Sequence, residues 1–205
     1  MDHAFAPAIV IAAGGEGRRM GGAKPLRELA GRTLLDHACA WAQRQSGPCA
    51  LAVREAGQVP PTSLPLLIDA HPGIGPVSAL IGAMRFARKQ GCTAVLLIGC
   101  DQPFLPDDLP ARLIAAIGDH AVAMPVSSGK DQPLASLWRL HESAVAAFIG
   151  EGGRSLWRLA DRLGAVRVAW ESAGAHPDPF ANINDPASLA RLAAAISETG
   201  TTPCA

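Results

Sequence analysis

The chain has 205 residues, of which 49% are hydrophobic and 18% charged, and its 18 Lys and Arg balance its 18 Asp and Glu. That composition describes one soluble globular domain with a substantial core, and it excludes a disordered chain, which needs low hydrophobicity or high net charge. Neutrality also argues against a nucleic-acid binder, whose phosphate affinity rests on an excess of cations, so any anion site must be local.

The apolar runs are strand-sized and fall far short of the roughly 20 residues of a membrane span. Met1-Asp2-His3 lacks the positive segment and long apolar stretch of a secretion signal, so the expected compartment is the cytoplasm. Five cysteines (Cys39, Cys49, Cys92, Cys100, Cys204) are odd in number and form no C-x-x-C pair, which favours reduced thiols serving as small core residues. Six histidines are scattered without metal-ligand spacing, so no transition-metal site is expected.

Short apolar runs alternate with stretches of helical periodicity, the sequence pattern of an α/β domain with a mostly parallel sheet in three layers. The first strand is Ala8 to Ala13, followed by a glycine-rich loop to Lys24. A helix runs from about Thr33 to Gln45, with Leu34, Leu35, Ala38, Trp41 and Ala42 at helical spacing. Strands follow at Ala50 to Val53 and Leu66 to Ile68. A helix opens near Pro76, where the missing N–H costs nothing. The fourth strand, Ala94 to Ile98, carries Gly99-Cys100-Asp101-Gln102-Pro103 at its carboxyl end, the place where ligands gather in open α/β sheets. Asp107 and Asp108 start a helix through Ile117, and Ala121 to Pro125 and Leu134 to Trp138 read as strands. The last third predicts helices at Glu142 to Ile149, Arg154 to Leu163 and Pro186 to Ile196, with a strand at Val166 to Trp170. Residues 1–197 form one domain in this reading, 198–205 a flexible tail, and 126–160 and 171–185 additions covering one side of the sheet.

The strongest chemical feature is the run Ala12-Ala13-Gly14-Gly15-Glu16-Gly17-Arg18-Arg19-Met20-Gly21-Gly22-Ala23-Lys24, directly after a strand. Glycines let backbone N–H groups approach an anion, and the cations neutralise it. It is neither of the two familiar phosphate loops. A dinucleotide fingerprint starting at Gly15 meets Met20 where it needs Gly or Ala, and a Walker loop starting at Gly17 ends in Ala23-Lys24-Pro25. The run is a phosphate cradle of a third kind or a solvated glycine loop.

Asp101 has two readings. It can hold Mg2+ with one protein oxygen and substrate phosphates, or it is a turn residue ahead of Pro103. Asp69, ending its own strand before a loop with Gly73 and Gly75, can meet a base or ribose or simply make a turn. Gly152-Gly153-Arg154-Ser155 places an arginine beside a glycine pair. In Asn182-Ile183-Asn184-Asp185-Pro186 alternation puts both amides on one side of an extended segment, although helix capping also explains Asn184 or Asp185.

Taken together, Ala12 to Lys24, Asp69, Gly75-Pro76, Cys100 to Pro106, Gln132 to Trp138 and Phe180 to Pro186 resemble the molybdenum cofactor guanylyltransferases over nearly the whole chain. The opening motif is shared by nucleotidyltransferases acting on sugar and alditol phosphates; the Phe-x-Asn-x-Asn ending narrows the choice. The resemblance implies transfer of GMP from GTP to molybdenum-bound molybdopterin, with Mg2+ as cofactor and pyrophosphate released by in-line attack. It implies nucleotide contacts from Ala12, Ala13, Gly14 and Asp69 and a phosphate contact from Lys24; Gly15, in the same glycine run, is a further expected nucleotide contact. By the same resemblance Asp101 would take Mg2+ and nucleotide, and Asn182 and Asn184 look like the family's pair near the pterin side; independently of it, Lys24 and Arg18 are expected to offset the developing charge, and Arg154 is a candidate acceptor contact. Transient contact with proteins of molybdenum insertion or molybdoenzyme maturation is a further expectation.

The sequence departs from the family pattern at Ala12, where Leu is common, at Ala23, where Asp often precedes the lysine, and around Val53-Arg54-Glu55, where an Asn is usual. These departures bear on the base, so a cytidylyltransferase of the same cofactor is the alternative, with a sugar-phosphate nucleotidyltransferase behind it. A non-catalytic nucleotide-binding regulator is the rival from another class, and the missing third glycine disfavours a nicotinamide oxidoreductase.

Overall fold

The computed structural model describes residues 6–15, 17, 21–170 and 177–199. Its elements in chain order are β1 (Ala8–Ala12), β2 (Glu28–Leu29), β3 (Arg32–Thr33), α1 (Leu34–Arg44), β4 (Cys49–Val53), β5 (Leu66–Ile68), α2 (Pro76–Lys89), β6 (Ala94–Gly99) and α3 (Leu109–Ile117). There follow β7 (Val122–Ser127), β8 (Lys130–Asp131), β9 (Ala135–Arg139), α4 (Glu142–Gly150), α5 (Leu156–Arg162), β10 (Val166–Trp170) and α6 (Pro186–Thr199). The α/β class and the mostly parallel sheet hold.

The main sheet runs β5-β4-β1-β6-β9-β7-β10, with β8 paired to β7. Strands β5, β4, β1 and β6 are mutually parallel, as are β7 and β10. Strand β9 is antiparallel to both β6 and β7, which keeps the carboxyl ends of β6 and β7 on one edge. The chain leaves β1 toward β4 and β5, then crosses back to place β6 on the other flank of β1. The crevice between β1 and β6 is therefore the topological switch point, where a parallel sheet opens a site.

Both faces of the sheet are buried, and the strand period of two sorts the core. Ile9, Ile11, Leu96 and Ile98 face Leu35, Trp41, Leu109 and Leu113 of α1 and α3. Val10, Val95 and Leu97 face Leu80, Met84, Val145 and Leu159 of α2, α4 and α5. Every residue of β6 is buried, and each fully buried aliphatic side chain there contributes about 1.5–3 kcal/mol. Helix α1 starts where the sequence indicates, because Thr33 and Asp36 form a reciprocal capping box.

Several expectations change. Residues 126–160 do not simply cover one side: β8 and β9 lie in the sheet itself, and only α4 and α5 pack on a face. Helix α5 begins at Leu156 because Ser155 caps it by accepting from Arg158 N–H. The β2–β3 hairpin went unread, since two-residue strands carry no periodicity. Helix α6 continues to Thr199, three residues past the expected helix end at Ile196. Of the cysteines, Cys100 is buried, whereas Cys39, Cys49 and Cys92 are only partly so, and Cys204 lies outside the described residues.

Candidate active site

The carboxyl ends of β1, β4, β5 and β6 open into a cleft of about 740 Å3. Its walls include Ala12, Ala13, Gly14, Gly15, Lys24, Asp69 and Asp101. Tertiary structure thus brings together all the described residues that the sequence assigned to the nucleotide, although they come from four separate parts of the chain.

The first loop owes its course to glycine. Gly17 has φ +59°, and a Cβ there would stand 2.7 Å from Lys24 Cβ, so both backbone angle and close packing require its absence. Gly22 N–H donates to Gly17 O at 3.0 Å and closes the loop. Gly14 abuts the end of β4, with a Cβ position 3.4 Å from Arg54 N. Arg18, expected beside the phosphates, lies outside the described residues.

Lys24 projects from a 3-10 turn (Lys24–Leu26) and is the hub of the site. Its Nζ donates to Asp101 Oδ2 at 2.6 Å and to Asn184 Oδ1 at 2.7 Å. The Lys24 and Asp101 side chains are 14% and 13% exposed, so the ion pair is largely withdrawn from water and weakly screened. Asp101 sits in the turn after β6, where Cys100 N–H donates to Ala12 O at 3.3 Å and stitches the two strand ends together. Asp101 occupies the turn that one sequence reading expects, and its carboxylate also lines the cleft.

Asp69 combines roles as well. Its Oδ1 accepts from His71 N–H at 2.8 Å and from the Ser78 hydroxyl, fixing the loop into α2 while the residue lines the cleft. Gln58 was not singled out by sequence. Its Nε2 donates to Ala13 O at 2.9 Å, and its Oε1 accepts from Arg54 N–H at 2.7 Å, latching the β1 loop to the end of β4. Only a fold that sets these loops side by side reveals that role.

At the far end of the chain, the capping question resolves by residue. Asp185 caps α6, accepting from Ser188 N–H at 2.7 Å while Ser188 Oγ accepts from Asp185 N–H at 3.1 Å. The Ser188 N–H, followed by the Ser188 hydroxyl, holds the Asp185 carboxyl below its usual range. Asn184 is thereby left to reach Lys24. Ile183 N–H donates to Asp101 O at 3.0 Å, and Ile183 is buried while Asn182 and Asn184 are exposed, as alternation requires. Arg154 is exposed and does not line the cleft, though its carbonyl lies 3.6 Å from where a Gly75 Cβ would stand.

A divalent cation would need hard oxygen donors. Asp101 supplies one carboxylate at the cleft, and the described residues contain no group of three or more His, Cys, Asp or Glu able to cage an ion. This donor set fits the mode typical of Mg2+, one protein carboxylate completed by phosphate oxygens and water. Cys100 also lines the cleft, and burial followed by the Asp101 charge pushes its thiol up to about 12, which disfavours the thiolate form.

Residues 9–168 match the family described as the MobA-like NTP transferase domain. A protein of Acidiphilium cryptum named molybdenum cofactor guanylyltransferase is 38% identical over 185 residues, covering 88% of this chain and 90% of that one. One of the same name from Rhodobacter capsulatus is 36% identical, over 89% and 92% of the two chains. The chain belongs to the molybdenum cofactor guanylyltransferase family. As a member of that family it is a nucleotidyltransferase. The fold agrees: molybdopterin-guanine dinucleotide biosynthesis protein A of Archaeoglobus fulgidus superposes with TM-score 0.79 at 20% identity, over 94% of this chain and all of that one. The 2-C-methyl-D-erythritol 4-phosphate cytidylyltransferase of Thermus thermophilus superposes with TM-score 0.66 at 20% identity, over 92% and 98%. No helix among the described residues of this guanylyltransferase-family chain is long and apolar enough to cross a membrane.

Proposed function

We propose that this guanylyltransferase-family chain transfers GMP from GTP to the terminal phosphate of molybdenum-bound molybdopterin, in the cytoplasm. The observation that carries the reading is the Lys24–Asp101 pair at 2.6 Å, in a cleft that the Ala12 to Gly15 loop also lines. The names of the relatives supply the guanylyl donor and the cofactor acceptor. An acceptor phosphate oxygen forms a bond to the α-phosphorus of GTP as the bond from that phosphorus to the bridging α–β oxygen breaks. The electron pair leaves with pyrophosphate.

In this reaction the chain mainly positions and neutralises, as phosphoryl-group chemistry demands. Backbone groups of Ala12, Ala13, Gly14 and Gly15 approach the nucleotide, with Asp69 lining the same cleft. Lys24 offsets charge as it builds on the leaving pyrophosphate, with Arg18 assigned the same task. Asp101, joined by phosphate oxygens, would hold Mg2+, which supplies further neutralisation of the triphosphate. Asn182, Asn184 and Arg154 are assigned to the acceptor side, with Asn184 also reaching the nucleotide loop. Aligning the two phosphates lowers the barrier by about 7–11 kcal/mol through orientation alone. Transient contact with proteins that insert molybdenum or mature molybdoenzymes accords with a product that must be passed on.

The test is incubation of purified protein with molybdenum-loaded molybdopterin, Mg2+ and either GTP or CTP, following pyrophosphate and dinucleotide together. Turnover with GTP and not CTP is expected. Turnover with CTP alone would move the chain to the cytidylyl branch, and silence with both would point to sugar-phosphate acceptors.

A further inference from the structure

The Lys24 ammonium has three N–H donors on a flexible four-carbon stem. Among the described residues two are taken, one by Asp101 Oδ2 at 2.6 Å and one by Asn184 Oδ1 at 2.7 Å. Lys24 also lines the cleft, so the third donor remains for an anion entering there. The two acceptors differ in kind. Asp101 neutralises the ammonium, whereas the neutral carboxamide of Asn184 fixes its position without cancelling charge.

The acceptor geometry of Asn184 is itself built. Asp185 and Ser188 cap α6 and leave the Asn184 side chain uncommitted to the helix, while Asn184 N–H donates to Ser188 Oγ at 3.1 Å. One residue upstream, Ile183 N–H grips Asp101 O at 3.0 Å, and Ile183 is fully buried against Leu29 and Leu34. The backbone around Asn184 is thus tied upstream by the buried Ile183 and downstream by the Ser188 hydroxyl of the cap, and its exposed carboxamide meets a lysine 160 residues away.

We infer that Asn184 is a positioning residue for Lys24, holding its ammonium at the triphosphate end of the cleft before GTP arrives. The inference rests on the nucleotidyltransfer reading and deepens it, since it gives Asn184 a task toward the donor nucleotide that is separable from any acceptor contact. Without Asn184 the stem gains rotamers that GTP binding must then freeze, at a cost paid in affinity. A residue serving only the acceptor would leave GTP affinity untouched.

The experiment is a double-mutant cycle read by GTP binding alone, in magnesium buffer with no molybdopterin, using wild type, Asn184→Ala, Lys24→Ala and the double variant. Far-UV circular dichroism and melting show whether each folds; Asn184→Ala keeps the Asp185 and Ser188 cap. The expected result is GTP affinity weaker by roughly three- to tenfold in Asn184→Ala, with no further loss when Asn184→Ala is added to Lys24→Ala. Unchanged affinity in the single variant overturns the inference. So does an equal loss in the Lys24→Ala background, because Asn184 would then act on the nucleotide without the lysine. Failure of the wild type to bind GTP would instead remove the guanylyltransfer reading itself and this inference with it.

Discussion

Gly99 and Asp101 share one volume: a Cβ built on Gly99 would overlap the Oδ1 of the Asp101 carboxylate. Glycine ends β6 because the carboxylate folds back over the strand end, and Gly99 N–H donates to Gln102 Oε1 at 3.3 Å to tighten the same turn. The position of the proposed metal-binding carboxylate is therefore set by the absence of a side chain two residues earlier.

Gly99→Ala should displace Asp101 while leaving the rest of the sheet in place. Crowding of this sort costs about 1–3 kcal/mol. The expected outcome is a folded protein whose turnover falls by about tenfold or more, measured as pyrophosphate release. Full activity would mean that Asp101 can do its work from elsewhere.

Asp101→Asn keeps an oxygen for Lys24 but removes the charge. Turnover should fall by about a hundredfold or more, the scale seen when a single electrostatic stabiliser is lost. Circular dichroism should match wild type. In parallel, a chelator should silence the wild-type enzyme and added Mg2+ restore it; activity that persists in excess chelator would contradict the role given to Asp101.

Gln58→Ala cuts the latch between Ala13 O and Arg54 N–H. The hydrogen bonds are worth about 1 kcal/mol in stability, so melting should drop by roughly 2–4 °C. Kinetically the KM for GTP should rise with kcat little changed, since the latch shapes the nucleotide wall and touches no reacting atom. A kcat loss at saturating GTP would show that Gln58 does more.

The cysteines set an alkaline limit. Burial, the largest cause in both, pushes Cys39 up to about 11 and Cys100 up to about 12, from an ordinary value of 9.0. Between these values the unfolded chain has released protons that the folded chain retains. The thiols' contribution is therefore complete below pH 9 and is lost as pH rises through about 11 and then 12. The chain contains no tyrosine to obscure this window. Thermal melts from pH 8 to pH 11 should show falling stability, with a shallower fall in Cys100→Ala than in wild type.

What the sequence determined by itself was local. Buried strands at Ala8 and Ala94, the Pro76 helix start and the Thr33 cap were legible because apolar period, proline and capping residues act within a few positions of themselves. The glycine-rich run and Asp101 stood out for the same reason, each being a short pattern at the end of a strand. Tertiary structure alone decided the rest. The antiparallel insertion of β9 depends on which strands pair, and Leu134 to Trp138 would look the same in either direction. Asn184 could be a cap, an acceptor ligand or a partner of Lys24 until Asp185 took the cap and the sheet order brought the lysine within 2.7 Å. Gln58 carries no motif at all, and its role exists only because β1 and β4 are neighbours. Contacts spanning 45, 77 or 160 residues are fixed by the packing of whole layers, and no local pattern in the chain encodes them.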